Sequence, residues 1–393
     1  MINAYEQLKS ELKSELKNIL GYWVNNTLDQ EYGGFVGKID HHNNIVPQAS
    51  KGIILNTRIL WSFSAASNYL QSDAYSSICD RAFHYLRDHF NDKTHGGVFW
   101  ELDYEGRPMN RRKQVYAQAF AIYALSEYYQ FTQNEGAKNW ALEIFDCIEE
   151  YAKDSLNLGY FEAFNEDWSP IEDMRLSEKD MNASKTMNTH LHILEAYTPL
   201  LKIYDHALLK NSLKMLVELF LQKFLNKEYH YELFFDDSWN LLSNSTSYGH
   251  DIETAWLVIE AAKLLNDESL LQQANEVAIK VANTFLQEGI DEEGAVLNEK
   301  NRTTGHVDTD RHWWPQVEAL VGFKYAHGLH PDPNYIKASV KIWDYVKKHL
   351  IDHQNGEWFF RVSEEGAVYT EENKVSMWKA PYHTTRACIM LNC

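Results

Sequence analysis

Six similar segments, five of them marked by glycine, recur along the chain, and their spacing restricts how it can fold more than any other feature. They read YGGFVGKIDHHNNIV from Tyr32, HGGVFWELDYEGRPM from His95 and LGYFEAFNEDWSPI from Leu158, then YHYELFFDDSWNLL from Tyr229, EGAVLNEKNR from Glu293 and GEWFFRVSEEGAVY from Gly356. Each has an apolar or aromatic run, a polar turn and a second short run, which is the chemistry of a β-hairpin. The period of about 63–70 residues is that of a repeated supersecondary unit.

Between consecutive hairpins, apolar residues recur at helical spacing twice. The pairs are Ile53–Tyr69 with Ser72–His89, Val115–Gln130 with Glu135–Tyr151, Lys185–Tyr204 with His206–Phe224, His250–Leu265 with Glu268–Gln287, and Arg311–His327 with Asn334–Leu350. Ala4–Trp23 and Pro381–Leu391 complete twelve helices. With no Gly/Ser/Pro-rich linker, residues 1–393 are expected to form a single domain. Six helix pairs either close into a double-walled barrel or continue as an open solenoid. The first helix of each pair is apolar and small on most sides, as in AQAFAIYALSEYY from Ala117, whereas the second carries a charged face (Lys138, Glu143 and Glu149; Lys341, Asp344 and Lys347). A helix apolar all round is a buried one. The expectation is therefore an all-α (α/α)6 barrel of six inner and six outer helices, with the hairpins at its mouth. Closure is inferred from the number six.

The unusual polar residues lie in the first two turns of the inner helices. They are Arg58 and Trp61; Tyr116 and Gln118; Lys185, Asn188, His190 and His192; His250, Asp251 and Glu253; Trp313, Trp314, Gln316 and Glu318; and Trp378, His383 and Arg386. Inner helices of such a barrel all begin at one end, so these residues should converge on one mouth. Asn188 and His192, and His250 and Glu253, share helix faces by their i, i+4 and i, i+3 spacing. His190 points elsewhere and reads as structural, while His41, His42, His84, His89, His206, His349 and His353 lie on polar faces or turns. His250 follows Gly249 at a helix start, where the dipole favours a neutral imidazole.

Several function classes fall away. A net charge of −19 is wrong for nucleic acid or an anionic membrane surface, and no apolar run spans a bilayer. The four cysteines are scattered without a CxxC, which fits a cytoplasmic, reducing setting. There is no HExxH, and Arg58, Arg386 and Lys185 on the same rim disfavour a divalent ion, so no metal is expected. Phosphate-cradling loops and a nucleophile elbow are missing, so no nucleotide cofactor or acyl transfer is expected. The 12 Trp, 23 Tyr and 18 Phe suit a cleft that stacks on sugars. Two near-neutral histidines facing each other suit proton abstraction beside a carbonyl and return on the other face, with an arginine on the enediolate oxygen. Glycoside hydrolysis by Glu253 and Glu318 is the alternative chemistry.

The segments KGIILNTRILW at Lys51, YAQAFAIYALSEYY at Tyr116, KTMNTHLHILEAY at Lys185, SYGHDIETAWL at Ser247, RHWWPQVEALVGF at Arg311 and WKAPYH at Trp378 resemble the N-acylglucosamine 2-epimerase superfamily, specifically its cellobiose branch. The resemblance runs through the whole chain in the same order and spacing, and implies an (α/α)6 barrel. It also implies a cofactor-free 2-epimerase acting on a disaccharide (cellobiose, lactose, mannosyl-glucose), or else a monosaccharide enzyme that epimerises N-acetylglucosamine or isomerises mannose to fructose, as a monomer or homodimer. By that resemblance His250 and His383 exchange the C2 proton through a cis-enediolate, and His192 assists ring opening or holds the open chain. Arg58 steadies the enediolate, Tyr116, Asn188 and Glu253 contact sugar or histidines, and Trp314 and Trp378 stack, with Trp313 packing beside them. Arg386 belongs to the expected substrate-binding set. Where that branch often reads WKCPYHNGR, this chain reads WKAPYHTTR from Trp378; the departures at Ala380, Thr384 and Thr385 are expected to alter the loop that meets the second sugar.

Overall fold

The computed structural model describes residues 2–393. Among the described residues there are twelve α-helices, and none is long and apolar enough to cross a membrane. The inner helices are α2 (Ile53–Leu70), α4 (Val115–Thr132), α6 (Met187–Ile203), α8 (Tyr248–Leu264), α10 (Trp313–Leu329) and α12 (Tyr382–Met390). The outer ones are α1 (Ile2–Asn26), α3 (Ser76–Tyr85), α5 (Glu135–Cys147), α7 (Ala207–Leu219), α9 (Glu268–Glu288) and α11 (Pro333–Tyr345). Composition sorts the two layers as expected. Every residue of α2 from Ile53 to Ser67 is buried, whereas α9 buries one stripe, Leu270, Ala274, Ala278, Val281, Ala282 and Phe285. A single stripe fits a helix with one face on a core and the other in water.

Each inner helix packs on the next, and α12 packs on α2, so the ring closes. A second, β-layer ring sits at the mouth. The two residues before an inner helix pair antiparallel with the following hairpin: Lys51↔Leu102, Lys113↔Phe164, Lys185↔Phe235 and Arg311↔Val362. An Ile39↔Val375 bridge joins the last connection back to the first hairpin.

Two repeated devices hold the hairpins, and both absorb residues that the sequence placed in the mouth. Lys185 lies fully buried, 2.7 Å from Asp154, which also caps the backbone N–H groups of Leu156 and Asn157. Lys51–Asp29, Lys113–Asp92, Arg311–Asp291 and Lys374–Asp352 repeat the pair at 2.5–2.6 Å. In the fourth repeat Asn226 caps the turn and Thr246 stands where the cation would, so both charges are gone together. A buried ion left without its partner is costly, which explains the joint loss. Lys185 is thus a hairpin anchor and not a rim cation.

The second device uses the fourth residue of an inner helix. Gln118 accepts from Val98 N–H (2.7 Å) and donates to Val98 C=O (2.9 Å), and Gln316 does the same to Val296. Asp251 accepts from Tyr231 N–H at 2.8 Å, and His190 from Tyr160 N–H at 2.9 Å. His190 donates its other ring N–H to Thr186 C=O at 2.7 Å, so both ring nitrogens are used. Gly159, at φ +79°, leaves room for it, since a Cβ there would lie 2.7 Å from the imidazole. Gln118, Asp251 and Gln316 are corrected to structural roles, and His190 is structural as read.

Candidate active site

The inner helices place their second and sixth residues one turn apart on the same face, looking into the barrel mouth. Second positions are Tyr116, Asn188, Trp314 and His383; sixth positions are Arg58, His192 and Glu253, while Glu318, also sixth, lies behind His383 and outside the mouth. A cavity of about 160 Å³ is lined by Arg58, Tyr116, Asn188, His192, His250, Glu253, Trp313, Trp314, Phe360, Trp378 and His383. Ten of the eleven residues expected from sequence therefore meet there, drawn from all six inner helices and the segment before α12. Arg386 is the exception. Phe360 is the addition; it belongs to the sixth hairpin's aromatic run and packs tilted against Trp313, with ring centres 4.8 Å apart.

Three histidines face this space, and each has Nδ1 engaged behind it. His192 Nδ1 is 2.8 Å from Glu195 Oε2, and His383 Nδ1 is 2.7 Å from Glu318 Oε1. A carboxylate only accepts, so these imidazoles carry hydrogen on Nδ1 and leave Nε2 as the base. His250 Nδ1 lies 2.8 Å from the Ser247 hydroxyl at the start of α8. Burial, then the neighbouring His192, lowers His250 to about 3, so it is neutral over the working range. Desolvation, more than the helix dipole, is the cause. Burial also pulls His383 well below an ordinary histidine, against the upward pull of Glu253 at 3.9 Å.

Trp314 sits between the two histidines, its ring 4.8 Å from His250 and 5.4 Å from His383. Gly249 permits this approach: a Cβ there would fall 2.5 Å from the indole. Arg58 is 4% exposed, lies over the rings of Phe120 (4.6 Å) and Tyr382 (5.0 Å), and donates to Tyr116 Oη and to Trp378 C=O. No carboxylate pairs with it among these contacts, so its charge is available to an anionic oxygen in the cavity. Tyr116 is held protonated by burial.

Below the histidines lies a buried ionic cluster. Arg386 donates through NH1 to Glu195 and Tyr382, and through NH2 to Glu253 (2.5 Å) and Glu318 (2.7 Å). Arg386 does not line the sugar-sized cavity, because it is the fifth residue of α12 and faces the barrel axis one layer down. The sequence offered a signal for Glu195, which stands three residues after His192 and so shares its face. Glu253, Glu318 and His383 bring ligand-type atoms within 4.8 Å of one another. The guanidinium of Arg386 already supplies the positive charge at that point. The same contacts undo the paired-carboxylate alternative, since Glu318 is fully buried, does not line the cavity and shares one cation with Glu253.

The cavity continues into a cleft of about 570 Å³ that shares Asn188, His250, Trp314 and Phe360. Met174, Asp180 and Met181, on the long segment 165–184, form one side of it; Asp308, His312 and Arg361 form another. Its size lies within the roughly 300–1,000 Å³ usual for small-ligand sites. No periodicity or motif of segment 165–184 pointed to this place. Ala380, Thr384 and Thr385 are at most 1% exposed and line neither space. They pack inside the barrel, which corrects the expectation that they alter the loop at the second sugar.

The family model for N-acylglucosamine 2-epimerase (GlcNAc 2-epimerase) matches residues 33–387. Cellobiose 2-epimerase of Bacteroides fragilis is 44% identical over 388 residues, covering 98% of this chain and 99% of that protein. Cellobiose 2-epimerase of Dictyoglomus turgidum is 38% identical and covers 97% of each. The solved structure of cellobiose 2-epimerase from Bacillus thermoamylovorans B4167 superposes with a TM-score of 0.93 at 37% identity, over 98% of both chains.

Proposed function

The chain belongs to the N-acylglucosamine 2-epimerase family, and from that membership together with the site's geometry we propose that it converts the reducing-end glucose of a β-1,4-linked disaccharide, cellobiose above all, to mannose. The observation that carries the reading is the set of three imidazoles facing one cavity beside an arginine whose charge no carboxylate neutralises. The cleft adjoining the histidines supports a second sugar ring beyond the reacting one.

In the open-chain sugar the C2 hydrogen is acidic because it lies beside the C1 carbonyl. One of the pair His250 and His383, neutral, takes that proton; the electron pair enters the C1–C2 bond and negative charge develops on O1. Arg58 and the Tyr116 hydroxyl stand ready to stabilise this oxygen where the charge appears. The other histidine returns a proton to the opposite face of C2. Burial disfavours its imidazolium form and the negative enediolate beside it favours that form. One ring gains the proton that the other gives, so no net proton is consumed. His192, held by Glu195, is suited to moving the proton that opens and recloses the ring. Trp314 and Trp378 offer faces for the sugar rings, and Asn188 and Glu253 offer polar contacts. No metal or nucleotide has a part in this scheme.

The test is direct. Purified protein incubated with cellobiose in heavy water, after exhaustive EDTA treatment, should yield glucosyl-mannose carrying deuterium at C2. Glucose as the product would replace this reading with hydrolysis, and activity restored only by a divalent metal would overturn the acid–base scheme.

A further inference from the structure

Arg386 lies on the far side of the active-site histidines from the sugar-sized cavity. Its fractional exposure is 2%, and the rings of Tyr382 and Trp256 cover it at 4.4 and 4.8 Å. The polar groups around it are Glu195, Glu253, Glu318 and the Tyr382 hydroxyl. Two of these carboxylates are the partners that hold His192 and His383 by Nδ1. An unbroken chain therefore runs His192–Glu195–Arg386–Glu318–His383, joining residues of α6, α10 and α12. On its other side Arg386 lines a separate cavity of about 300 Å³ at the opposite end of the barrel, with Trp61, Tyr123, Glu127, Glu195 and Trp256.

We propose that Arg386 is a positioning residue: from beneath the site it fixes His192 and His383 together, each in the form with Nδ1 protonated and Nε2 facing the sugar, and it never touches substrate. This inference rests on the histidine chemistry proposed above. A single guanidinium suits the task because its fork reaches two carboxylates through different nitrogens, which an ammonium cannot copy. Charge balance supports it. Three glutamates share this one arginine, and burial alone would raise all three. The effect of Arg386, with His192, instead holds Glu195 at about 2, while Glu253 and Glu318 remain raised. Glu195 is thus a fixed anion that can only accept from His192. Burial raises the two glutamates near His383, and the Arg386 guanidinium opposes that rise, which favours the carboxylate form that accepts from the ring. Removing Arg386 would leave three carboxylates facing one another, and protonating Glu195 or Glu318 would free the imidazoles to rotate or change tautomer.

The experiment is Arg386→Ala assayed on cellobiose, with and without millimolar guanidinium chloride. Loss of a partner that orients a metal-binding histidine typically costs about 10–100-fold in activity, and the same scale applies to these oriented imidazoles. We expect kcat to fall by at least that range, KM to stay within about twofold, and guanidinium entering by the lower cavity to recover part of the kcat. Wild type and His250→Ala should show no gain from the additive. A large KM rise with kcat preserved would make Arg386 a substrate contact and overturn the proposal; so would a folded Arg386→Ala with normal turnover. If Arg386→Ala does not fold, Glu195→Gln decides: reduced kcat at unchanged KM, with a shifted imidazole nitrogen NMR signal for His192, supports the chain, and wild-type kinetics sinks it. His383→Ala run alongside separates the two readings, since normal turnover there would remove the histidine chemistry itself.

Discussion

Replacing Glu318 with glutamine changes one atom in a residue that substrate never touches, and the structure states what should follow. Glu318 Oε1 accepts from His383 Nδ1 and from Arg386, while Oε2 accepts from Trp256 Nε1 at 3.2 Å. In Glu318→Gln the amide oxygen can keep the first two bonds, but its NH2 then faces the Trp256 N–H, donor against donor. The flipped amide points a donor at His383 and forces the other tautomer. Either way the charged acceptor beneath His383 is lost when that ring becomes imidazolium. A hydrogen bond to a charged group contributes about 1.5–3 kcal/mol, and a tenfold rate change corresponds to about 1.36 kcal/mol. The expected loss in kcat is therefore about 10- to 150-fold. KM for cellobiose should change little, because Glu318 does not line the cavity. Steady-state kinetics on cellobiose, with circular dichroism to confirm folding, decides it. A kcat within twofold of wild type would refute the claim that Glu318 orients and charges His383, and a raised KM with unchanged kcat would place Glu318 against the sugar instead.

His250→Ala and His383→Ala should each lower kcat by about 10²–10⁴, and the double variant should lose little more, because either loss breaks the same proton relay. His190→Ala should keep most turnover yet unfold at lower temperature, since each buried group it orphans costs about 1–3 kcal/mol; a normal melting temperature with lost activity would reverse that reading. His190 and His250 are both lowered to about 3 by burial, from an ordinary 6.5. Between those values the unfolded chain binds more protons than the native one, so stability should fall as pH drops from about 6.5 toward 3. Thermal melts across that range should show the decline, and His190→Ala should show a shallower one.

The order of elements, the assignment of inner and outer layers and the set of residues at the mouth could be read from sequence because each depends on local periodicity. A helix turns about every 3.6 residues, so Arg58, Tyr116, His192 and His383 had to share the face that their repeat position dictates. What each polar group does there was a different matter. Gln118 and His190 occupy one repeat position, and both are consumed by hairpin backbone 20 and 30 residues away. Lys185 looked like a rim cation until Asp154, 31 residues before it, was seen to hold it. Arg386 looked like a sugar contact, but its partner Glu195 lies 191 residues away on a different inner helix. Ring closure brings α6, α10 and α12 around one axis, and that alone decides which charges meet each other and which remain free for substrate. Periodicity fixes the direction of a side chain; only the packed barrel decides whether a partner is already waiting there.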